Sequence, residues 1–275
     1  MPFDFTIIES GSNPGNCTVL DKHIMIDCGL SIKRVKQTID LTDIKIAIVT
    51  HRHTDHVKYP LIKALAKQGT FLYLPQAVVD TFKKTYPKEP LSETQYRTLE
   101  SVSRQRVAVD DIHTITFIPQ EHEDLVNYAI YVEKEDKIFL YATDLDTLFP
   151  SDVGDGIMHL NNIDVLALEG NYDETYIRRV IIETLTQYDN SRDWSECSPE
   201  EISEFLDTFG KMLPKGTYRL LYRAIQNLRH LSKQQARSYA ANHMKKDGRY
   251  YEMHRSREFY EEPTTTTIES LTEWF

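Results

Sequence analysis

IAIVTHRHTDHVKY, residues 46–59, is the stretch of sequence that decides the fold. A run of apolar and β-branched residues ends at Thr50, as in a buried strand, and three histidines and one aspartate follow within six positions. These four residues are His51, His53, Asp55 and His56. Neutral imidazoles and carboxylates are the ligands that Zn²⁺ and similar divalent cations prefer when thiolates are absent. The end of this strand therefore predicts a metal site.

The spacing inside this histidine box, residues 51–56, favours two ions over one. In an extended loop His51 and His53 point to the same side, so that both can bind one ion. Asp55 and His56 lie one turn onward and can reach a second ion. A solvated polar turn is the alternative interpretation, but such a turn has no need of four ligand groups in six positions.

The composition is that of an ordinary globular protein. The chain has 275 residues, of which 40% are hydrophobic and 27% charged, and it is long enough for one large domain or two small ones. Its three cysteines favour a reducing compartment over a disulfide framework. The first residues lack a signal-peptide pattern, and no apolar run approaches the ~18 residues of a membrane helix. We therefore expect a cytoplasmic protein with no membrane partner.

The charge is distributed unevenly along the chain. The formal net charge of −10 argues against unspecific binding of nucleic acid. Residues 216–257, however, carry ten lysines and arginines against two acidic residues, a net charge of +8. This basic segment is either a solvated helical surface or a face that binds an anionic substrate such as nucleic acid or another phosphodiester.

Strand and helix patterns alternate in the first half of the chain, and their order predicts an α/β fold of two sheets with helices outside. The later part is mostly helical. Ser198 and Glu201 form a capping signature, and Ser232 is the expected cap of a helix in LSKQQARSYAANHMK. We expect a single domain over residues 1–275, with a helical insertion at residues 175–215.

Further ligand residues follow the histidine box at increasing distances. His122 follows a strand in PQEHEDLV, Asp144 ends the second strand of a hairpin in LYATDLD, and His230 begins a helix in NLRHLSKQQA. This order resembles that of the metallo-β-lactamase superfamily over roughly the whole chain, and it implies the αββα four-layer sandwich of that superfamily. The motifs SGSNPGNC, HIMIDCG, EGNYDE and RHLSKQQA look like those of its YycJ/WalJ-like hydrolases.

The resemblance implies a ligand set for two divalent ions, either Zn²⁺ or Mn²⁺. His51, His53 and His122 would hold one ion, Asp55, His56 and His230 would hold the other, and Asp144 would bridge them. Asp55, Asp144 and His230 would be the catalytic residues. Two such cations lower the pKa of a shared water and neutralise charge on a phosphoryl or carbonyl oxygen. Asp27 would orient a ligand, unless it is a plain turn residue.

Five other polar residues are candidates for contact with substrate. They are Ser12, Asn16, Asn171, His254 and Ser256. The first two lie in a loop that can present donors to a phosphate, and the last two lie together near the end of the chain. For each of them a purely structural role is the alternative. The remaining histidines have no pattern around them and are expected to be ordinary.

Three functions follow from these features. The first is a dinuclear metal-dependent phosphodiesterase, most plausibly an exonuclease-like nuclease, which the basic segment favours. The second is an ester, thioester or lactone hydrolase of a small molecule, which the overall acidity favours. The third, a non-catalytic binding relative, is opposed by the complete ligand set. The sequence leaves the choice of ion and the oligomeric state open.

Overall fold

A computed structural model describes residues 1–99, 103–122, 125–145, 148, 157, 159–254 and 265–267. Ser256, one of the candidate substrate residues, lies outside the described residues. Among the described residues, no helix combines the length and the apolar character that crossing a membrane requires.

The first sheet has six strands in the order in which they occur along the chain. They are β1 (Phe5–Glu9), β2 (Cys17–Leu20), β3 (Ile24–Ile26), β4 (Ile46–Ile48), β5 (Phe71–Pro75) and β6 (Tyr96–Leu99). The strands β1 to β3 are antiparallel, whereas β3 to β6 are parallel. The parallel part brings the carboxyl ends of β3 and β4 to the same edge of the sheet.

The second sheet has seven strands, β7 (Gln105–Ala108), β8 (His113–His122), β9 (Leu125–Lys134), β10 (Lys137–Ala142), β11 (Ile163–Glu169), β12 (Met244–Met253) and β13 (Thr265–Thr267). Their spatial order is β13-β12-β11-β10-β9-β8-β7. The strands β10, β11 and β12 are parallel, although 74 residues separate the end of β11 from the start of β12. This long-range pairing carries the C-terminal part of the chain to the edge where β10 and β11 end.

The two sheets pack face to face, and helices cover both outer faces. Alternation along the strands divides the core, since Ile24 and Ile26 enter the layer between the sheets while Met25 packs on the outer side. The helices α1 (Ile32–Val35), α2 (Tyr59–Lys67) and α3 (Gln76–Thr85) pack on the first sheet. The helix α7 (Lys233–His243) packs on the second. The predicted αββα sandwich is confirmed.

Three further helices form a cluster with a hydrophobic core of its own. They are α4 (Glu174–Thr186), α5 (Pro199–Phe209) and α6 (Lys215–Asn227), with short 3₁₀ turns at Trp194–Glu196 and Gly210–Met212; a third such turn is Leu41–Asp43. The predicted caps at Ser198 and Ser232 are confirmed. Each side chain accepts a hydrogen bond from the backbone N–H of the residue three positions later. The helix that starts after Ser232 ends earlier than predicted, at His243, because β12 begins at Met244.

A buried ionic network joins the two sheets at the edge remote from the histidine box. His113 Nε2 lies 2.7 Å from Asp21 Oδ2, and His113 Nδ1 lies 2.8 Å from Asp110 Oδ2. Lys134 Nζ lies 2.8 Å from Asp21 Oδ2, and His23 Nε2 lies 2.9 Å from Asp110 Oδ2. Burial opposes a charge on His113, but the hydrogen bonds to Asp21 and Asp110 outweigh it and raise the pKa of the ring. His113 and His23 are thus structural residues with defined partners.

This network makes the stability of the fold dependent on pH. A histidine whose pKa is raised in the folded state stabilises it below the unfolded value of about 6.5, and that contribution is lost as the pH rises through the folded pKa. We expect His113→Gln to lower the free energy of unfolding by about 2 kcal/mol at pH 6 and by less at pH 9. Urea unfolding at both pH values measures this difference. His159→Gln, at an exposed histidine, serves as the control, and an equal loss at both pH values for His113→Gln would contradict the prediction.

Candidate metal centre

The candidate site lies where strands of both sheets end. Asp27 follows β3, Asp144 follows β10, Glu169 ends β11 and His254 follows β12. Carboxyl ends of parallel strands gather at one edge of a sheet, which is where open α/β sheets bind ligands. Asp27, Asp144 and His254 have backbone φ angles of 60°, 53° and 51°, a left-handed conformation that is uncommon for residues other than glycine. The chain therefore turns sharply after each strand and presents these side chains at the edge.

Three imidazoles form the first part of the site. The ring nitrogens of His51, His53 and His122 come within 4.8 Å of one another, with His51 Nε2 only 3.1 Å from His53 Nδ1. Burial lowers the pKa of His51 well below its ordinary value, and the nearby His56 lowers it further. His51 is therefore neutral and offers a lone pair. Three clustered imidazoles of this kind are a typical donor set for a divalent cation.

The second part of the site surrounds Asp144. Asp144 Oδ2 lies 2.7 Å from His56 Nε2, and Asp144 Oδ1 lies 3.3 Å from His254 Nε2 and 3.9 Å from His122 Nε2. Asp55 Oδ2 lies 3.4 Å from His254 Nε2 and 3.6 Å from His56 Nε2. Asp144 is thus placed between the three imidazoles of the first part and the Asp55–His56–His254 group.

Asp27 fixes the orientation of the His56 ring through Nδ1, the ring nitrogen that does not face Asp144. Asp27 Oδ2 lies 2.8 Å from His56 Nδ1 and accepts a hydrogen bond from Tyr141 Oη at 2.9 Å. Asp27 Oδ1 accepts hydrogen bonds from the backbone and side chain of Thr50 at 2.9 and 2.8 Å. Because a carboxylate can only accept, Nδ1 of His56 carries a proton and Nε2 faces Asp144. The structure thus places Asp27 where the sequence predicted an orienting residue.

The residues present fit a bound cation. Burial opposes a charge on His56, but Asp27 and Asp144 outweigh it and raise its pKa well above the ordinary value. In the same way, burial opposes a charge on His254, but Asp144, Asp55 and Glu169 outweigh it and raise the pKa of His254 to about 10. Asp144 Oδ2 is buried and accepts no well-oriented hydrogen bond from any described residue. The pocket therefore attracts positive charge, and a divalent ion would take the place of the protons on His56 and His254.

His230 is held by Glu169. His230 Nδ1 lies 2.7 Å from Glu169 Oε1, while Glu169 Oε2 accepts the backbone N–H of Leu145 at 2.6 Å. Burial alone would raise the pKa of Glu169, but His230 outweighs it and the pKa falls to about 2. The carboxylate in turn raises the pKa of His230 against the effect of burial. Nδ1 is therefore committed to Glu169, and Nε2, on the far side of the ring, is left for another contact.

The ligand atoms that lie close together form a different group from the predicted set of Asp55, His56 and His230, which stays a prediction. Among the described residues, the ligand atoms of Asp55, His56 and His254 lie within 4.8 Å of one another, and no such group joins His230 to Asp55 and His56. The reason is the parallel pairing of β12 with β11, which delivers His254 to the edge of the sheet. His230 belongs instead to a neighbouring group with Asp144, Glu169 and His254.

A family model matches most of the chain. The model described as the Beta-lactamase superfamily domain matches residues 22–215, more than two thirds of the chain. The chain belongs to the metallo-β-lactamase superfamily. The short form of human tRNase Z shares the fold, with 15% sequence identity, coverage of 96% of this chain and 98% of that chain, and a TM-score of 0.58. The metallo-β-lactamase fold protein YhfI from Bacillus subtilis is 17% identical over 64% of this chain and 74% of that chain, with a TM-score of 0.49. No curated protein sequence matches the chain.

Within this superfamily fold, two of the candidate substrate residues have structural contacts. Asn16 is fully buried; its Oδ1 accepts the backbone N–H of Gly11 at 2.8 Å, and its Nδ2 lies 2.8 Å from His56 Nε2. Asn171 is 3% exposed, and its Nδ2 lies 3.2 Å from His254 Nδ1. Both side chains therefore hold histidines of the site, and neither is exposed to a substrate. Ser12 is exposed, with Oγ 3.5 Å from His254 Nε2.

Glu169 is the site residue that the sequence reasoning missed. The signal was present, because Glu169 is an acidic residue at the end of the otherwise apolar run VLALE, and a charge buried there needs a partner. Tyr141 was missed for a different reason. Its position in an apolar strand is typical of a core residue, and only the packing of the two sheets brings its hydroxyl to Asp27.

Proposed function

We propose that the protein is a dinuclear metal-dependent phosphodiesterase that acts as a nuclease. The observation that carries the proposal is the convergence of histidines from both sheets on the two carboxylate oxygens of the buried Asp144. Membership of the metallo-β-lactamase superfamily supports a metal-dependent hydrolase. Human tRNase Z, whose fold the chain shares, acts on RNA according to its name, which is a reason to include nucleic acid among the first substrates tested.

The geometry supports one assignment of ligands above others. His51, His53 and His122 would hold the first ion, and Asp55, His56 and His254 would hold the second, with Asp144 shared between them. This assignment replaces His230 with His254 in the set that the sequence predicted. Zn²⁺ and Mn²⁺ both accept this mixture of imidazole and carboxylate ligands.

When bound, the two cations would acidify a water molecule and neutralise charge that develops on a phosphoryl oxygen. The chain itself supplies the other functions. Asp27 holds the His56 ring in one orientation through Nδ1. Glu169 holds His230 through Nδ1, so that the Nε2–H of the protonated ring can donate a proton to the leaving oxygen of the substrate. In this proposal His230 is a catalytic residue, but as a proton donor and not as the ligand of the second ion that the sequence predicted.

A small-molecule esterase is the competing function, because the net charge of −10 does not favour a polyanionic substrate. The two functions differ in the charge and the bond of the substrate. We expect the protein loaded with Mn²⁺ or Zn²⁺ to hydrolyse bis(p-nitrophenyl) phosphate and to shorten an end-labelled oligonucleotide, and we expect EDTA to abolish both activities. A p-nitrophenyl acetate assay under the same conditions measures the competing function.

The outcomes of this experiment separate the two functions clearly. Metal-dependent cleavage of the phosphodiesters supports the proposal, and the end label shows whether cleavage proceeds from one end of the strand. Metal-dependent hydrolysis of the acetate ester alone would overturn it in favour of the esterase. Hydrolysis that EDTA does not affect would contradict both.

A further inference from the structure

The structure divides the basic segment of residues 216–257 into two parts. In the later part three of the basic side chains form ion pairs within the fold. Lys233 Nζ lies 2.5 Å from Asp173 Oδ2, Arg237 Nε lies 2.6 Å from Glu252 Oε1, and Lys245 Nζ lies 2.8 Å from Asp164 Oδ2. These ion pairs tie α7 and β12 to the rest of the fold. Lys246 and Arg249 of this part are exposed, and Arg255 and Arg257 lie outside the described residues.

The earlier part, on α6, is different. Lys215, which directly precedes the basic segment, follows the same spacing as Arg219 and Arg223 within it. The three residues are four positions apart, so they lie along one side of the helix at steps of about 6 Å. All three are exposed. Lys215 and Arg219 form no ion pair with any residue that the structure describes. The opposite side of the helix, with Leu221, packs into the helical cluster.

An aromatic residue lies beside this row of charges. Tyr222 is 50% exposed, although its ring is large and partly apolar. It is adjacent to Arg223 and three residues from Arg219, and so it lies on the same face of α6. Exposed aromatic rings next to basic side chains are the usual means by which proteins stack bases of a nucleic-acid strand without reading its sequence.

The row points towards the metal centre. α6 ends at Asn227, and His230 follows three residues later. From the helical rise, Arg223 is roughly 6 Å and Lys215 roughly 18 Å from the end of α6 at Asn227 along the axis. A strand bound along this face would have its end close to the His230–Glu169 pair. A small diester held at the metal centre would not reach these residues.

The neighbouring helix α5 limits the path of an anion. Arg229 borders a surface groove of about 390 Å³ together with Glu200, Glu204 and Asp207. Its charge is offset by these carboxylates, so we leave Arg229 out of the binding surface. The acidic groove repels a polyanion, which favours the outer face of α6 over the α5 side.

We propose that the exposed face of α6 formed by Lys215, Arg219, Tyr222 and Arg223, the α6 face, binds the backbone and a base of a nucleic-acid strand. This proposal rests on the nuclease activity proposed above and assigns the surface that binds its polynucleotide substrate. The basic residues contact successive phosphates, Tyr222 stacks on a base, and the scissile bond lies at the metal centre.

The test compares a long substrate with a short one. The substrates are 20-nucleotide single strands of DNA and RNA and bis(p-nitrophenyl) phosphate. We expect Arg219→Glu/Arg223→Glu to lower kcat/KM for the strands at least tenfold and to leave the small diester within twofold. Loss of two phosphate contacts reduces the slope of log affinity against log salt by roughly 1.4 for a single strand. Tyr222→Ala is expected to weaken strand binding at least about fivefold.

Lys83→Glu/Lys84→Glu is the matched control. It makes the same change of charge at the C-terminal end of α3, which starts at the site edge after β5 and runs away from it. Fluorescence anisotropy with the labelled strands, measured in EDTA, gives a readout of binding that does not depend on catalysis. Comparison of DNA with RNA shows which sugar the surface accepts.

The outcomes distinguish this inference from the proposed function. If the small diester is cleaved but the α6 variants bind and cleave strands like the wild type, the α6 face is not the binding surface and the phosphodiesterase proposal stands. If the small diester is not cleaved while the α6 variants alone lose strand affinity, the surface is supported and the proposed activity fails. A change in oligomeric state without a change in strand binding would overturn the inference in favour of contact between copies of the chain.

Discussion

Asp144→Asn is expected to lower kcat/KM for bis(p-nitrophenyl) phosphate by roughly 10³-fold or more, because metal ions contribute several kcal/mol of transition-state stabilisation and each 1.36 kcal/mol is tenfold in rate. It is also expected to lower the metal content of the purified protein. Metal analysis after dialysis and steady-state kinetics at saturating Mn²⁺ or Zn²⁺ measure the two effects separately.

The physical reason lies in the position of the carboxylate. Asp144 faces His56 through one oxygen and His122 and His254 through the other. Burial would raise the pKa of Asp144, but His254 and His56 outweigh it and hold the pKa well below its ordinary value. The carboxylate is therefore ionised, and asparagine removes a buried negative charge from the centre of all the ligands.

Asparagine is the appropriate replacement because Asp144 has a φ of 53°. Asparagine tolerates this left-handed conformation about as well as aspartate, so the substitution changes the charge and leaves the turn after β10 intact. Asp136→Asn, in the exposed turn before β10, makes the same chemical change at the other end of the strand and should leave activity unaltered. An Asp144→Asn protein with normal activity and two bound ions would show that Asp144 is not a shared ligand.

The sequence predicted most of the site because much of it is local. The histidine box places His51, His53, Asp55 and His56 within six positions of a strand end, and no distant contact is needed to bring them together. Asp144 was predicted in another way, from the order of ligands in the superfamily that the sequence resembles. The order of strand and helix patterns predicted the two sheets with helices outside, because central strands such as β3 and β4 are buried on both faces and read as short apolar runs.

The choice between His230 and His254 could not be predicted in the same way. Both histidines are followed by a leucine or arginine and then a serine, so their immediate sequences do not separate them. The distinction depends on the pairing of β11 with β12, across the helices α4 to α7. The role of Glu169 was equally hard to predict, because its partner His230 is 61 residues away in the sequence. Contacts of such range are set by the whole fold.

Backbone conformation adds a signal that the sequence alone does not carry. Asp27, Asp144 and His254 all adopt positive φ angles immediately after strands that meet at the site. Residues in such conformations cost free energy and persist where the surrounding structure requires them. His254 belongs to this set and His230 does not, so the turn after β12 brings His254 to the same edge as Asp27 and Asp144.

His254→Asn and His230→Asn are expected to separate metal binding from proton transfer. His254→Asn should reduce the metal content by one ion, because His254 Nε2 lies between Asp55 and Asp144. His230→Asn should retain both ions, because its Nδ1 is committed to Glu169, and should lower kcat by roughly 10²- to 10⁴-fold, the range for a positioned general acid. Metal analysis and kcat together distinguish the two variants.

Asparagine is used at both positions so that the two variants do not differ in backbone strain. Asparagine suits the φ of 51° at His254, where alanine would add strain of its own, and the same replacement at His230 keeps the pair comparable. His159→Asn, at an exposed histidine remote from the strand ends, controls for the loss of an imidazole. A substrate with a p-nitrophenolate leaving group needs little protonation, so the deficit of His230→Asn should shrink with that substrate and widen with an oligonucleotide. If His230→Asn instead loses an ion and His254→Asn keeps both, the original assignment of His230 as a ligand is correct and His254 has the other role.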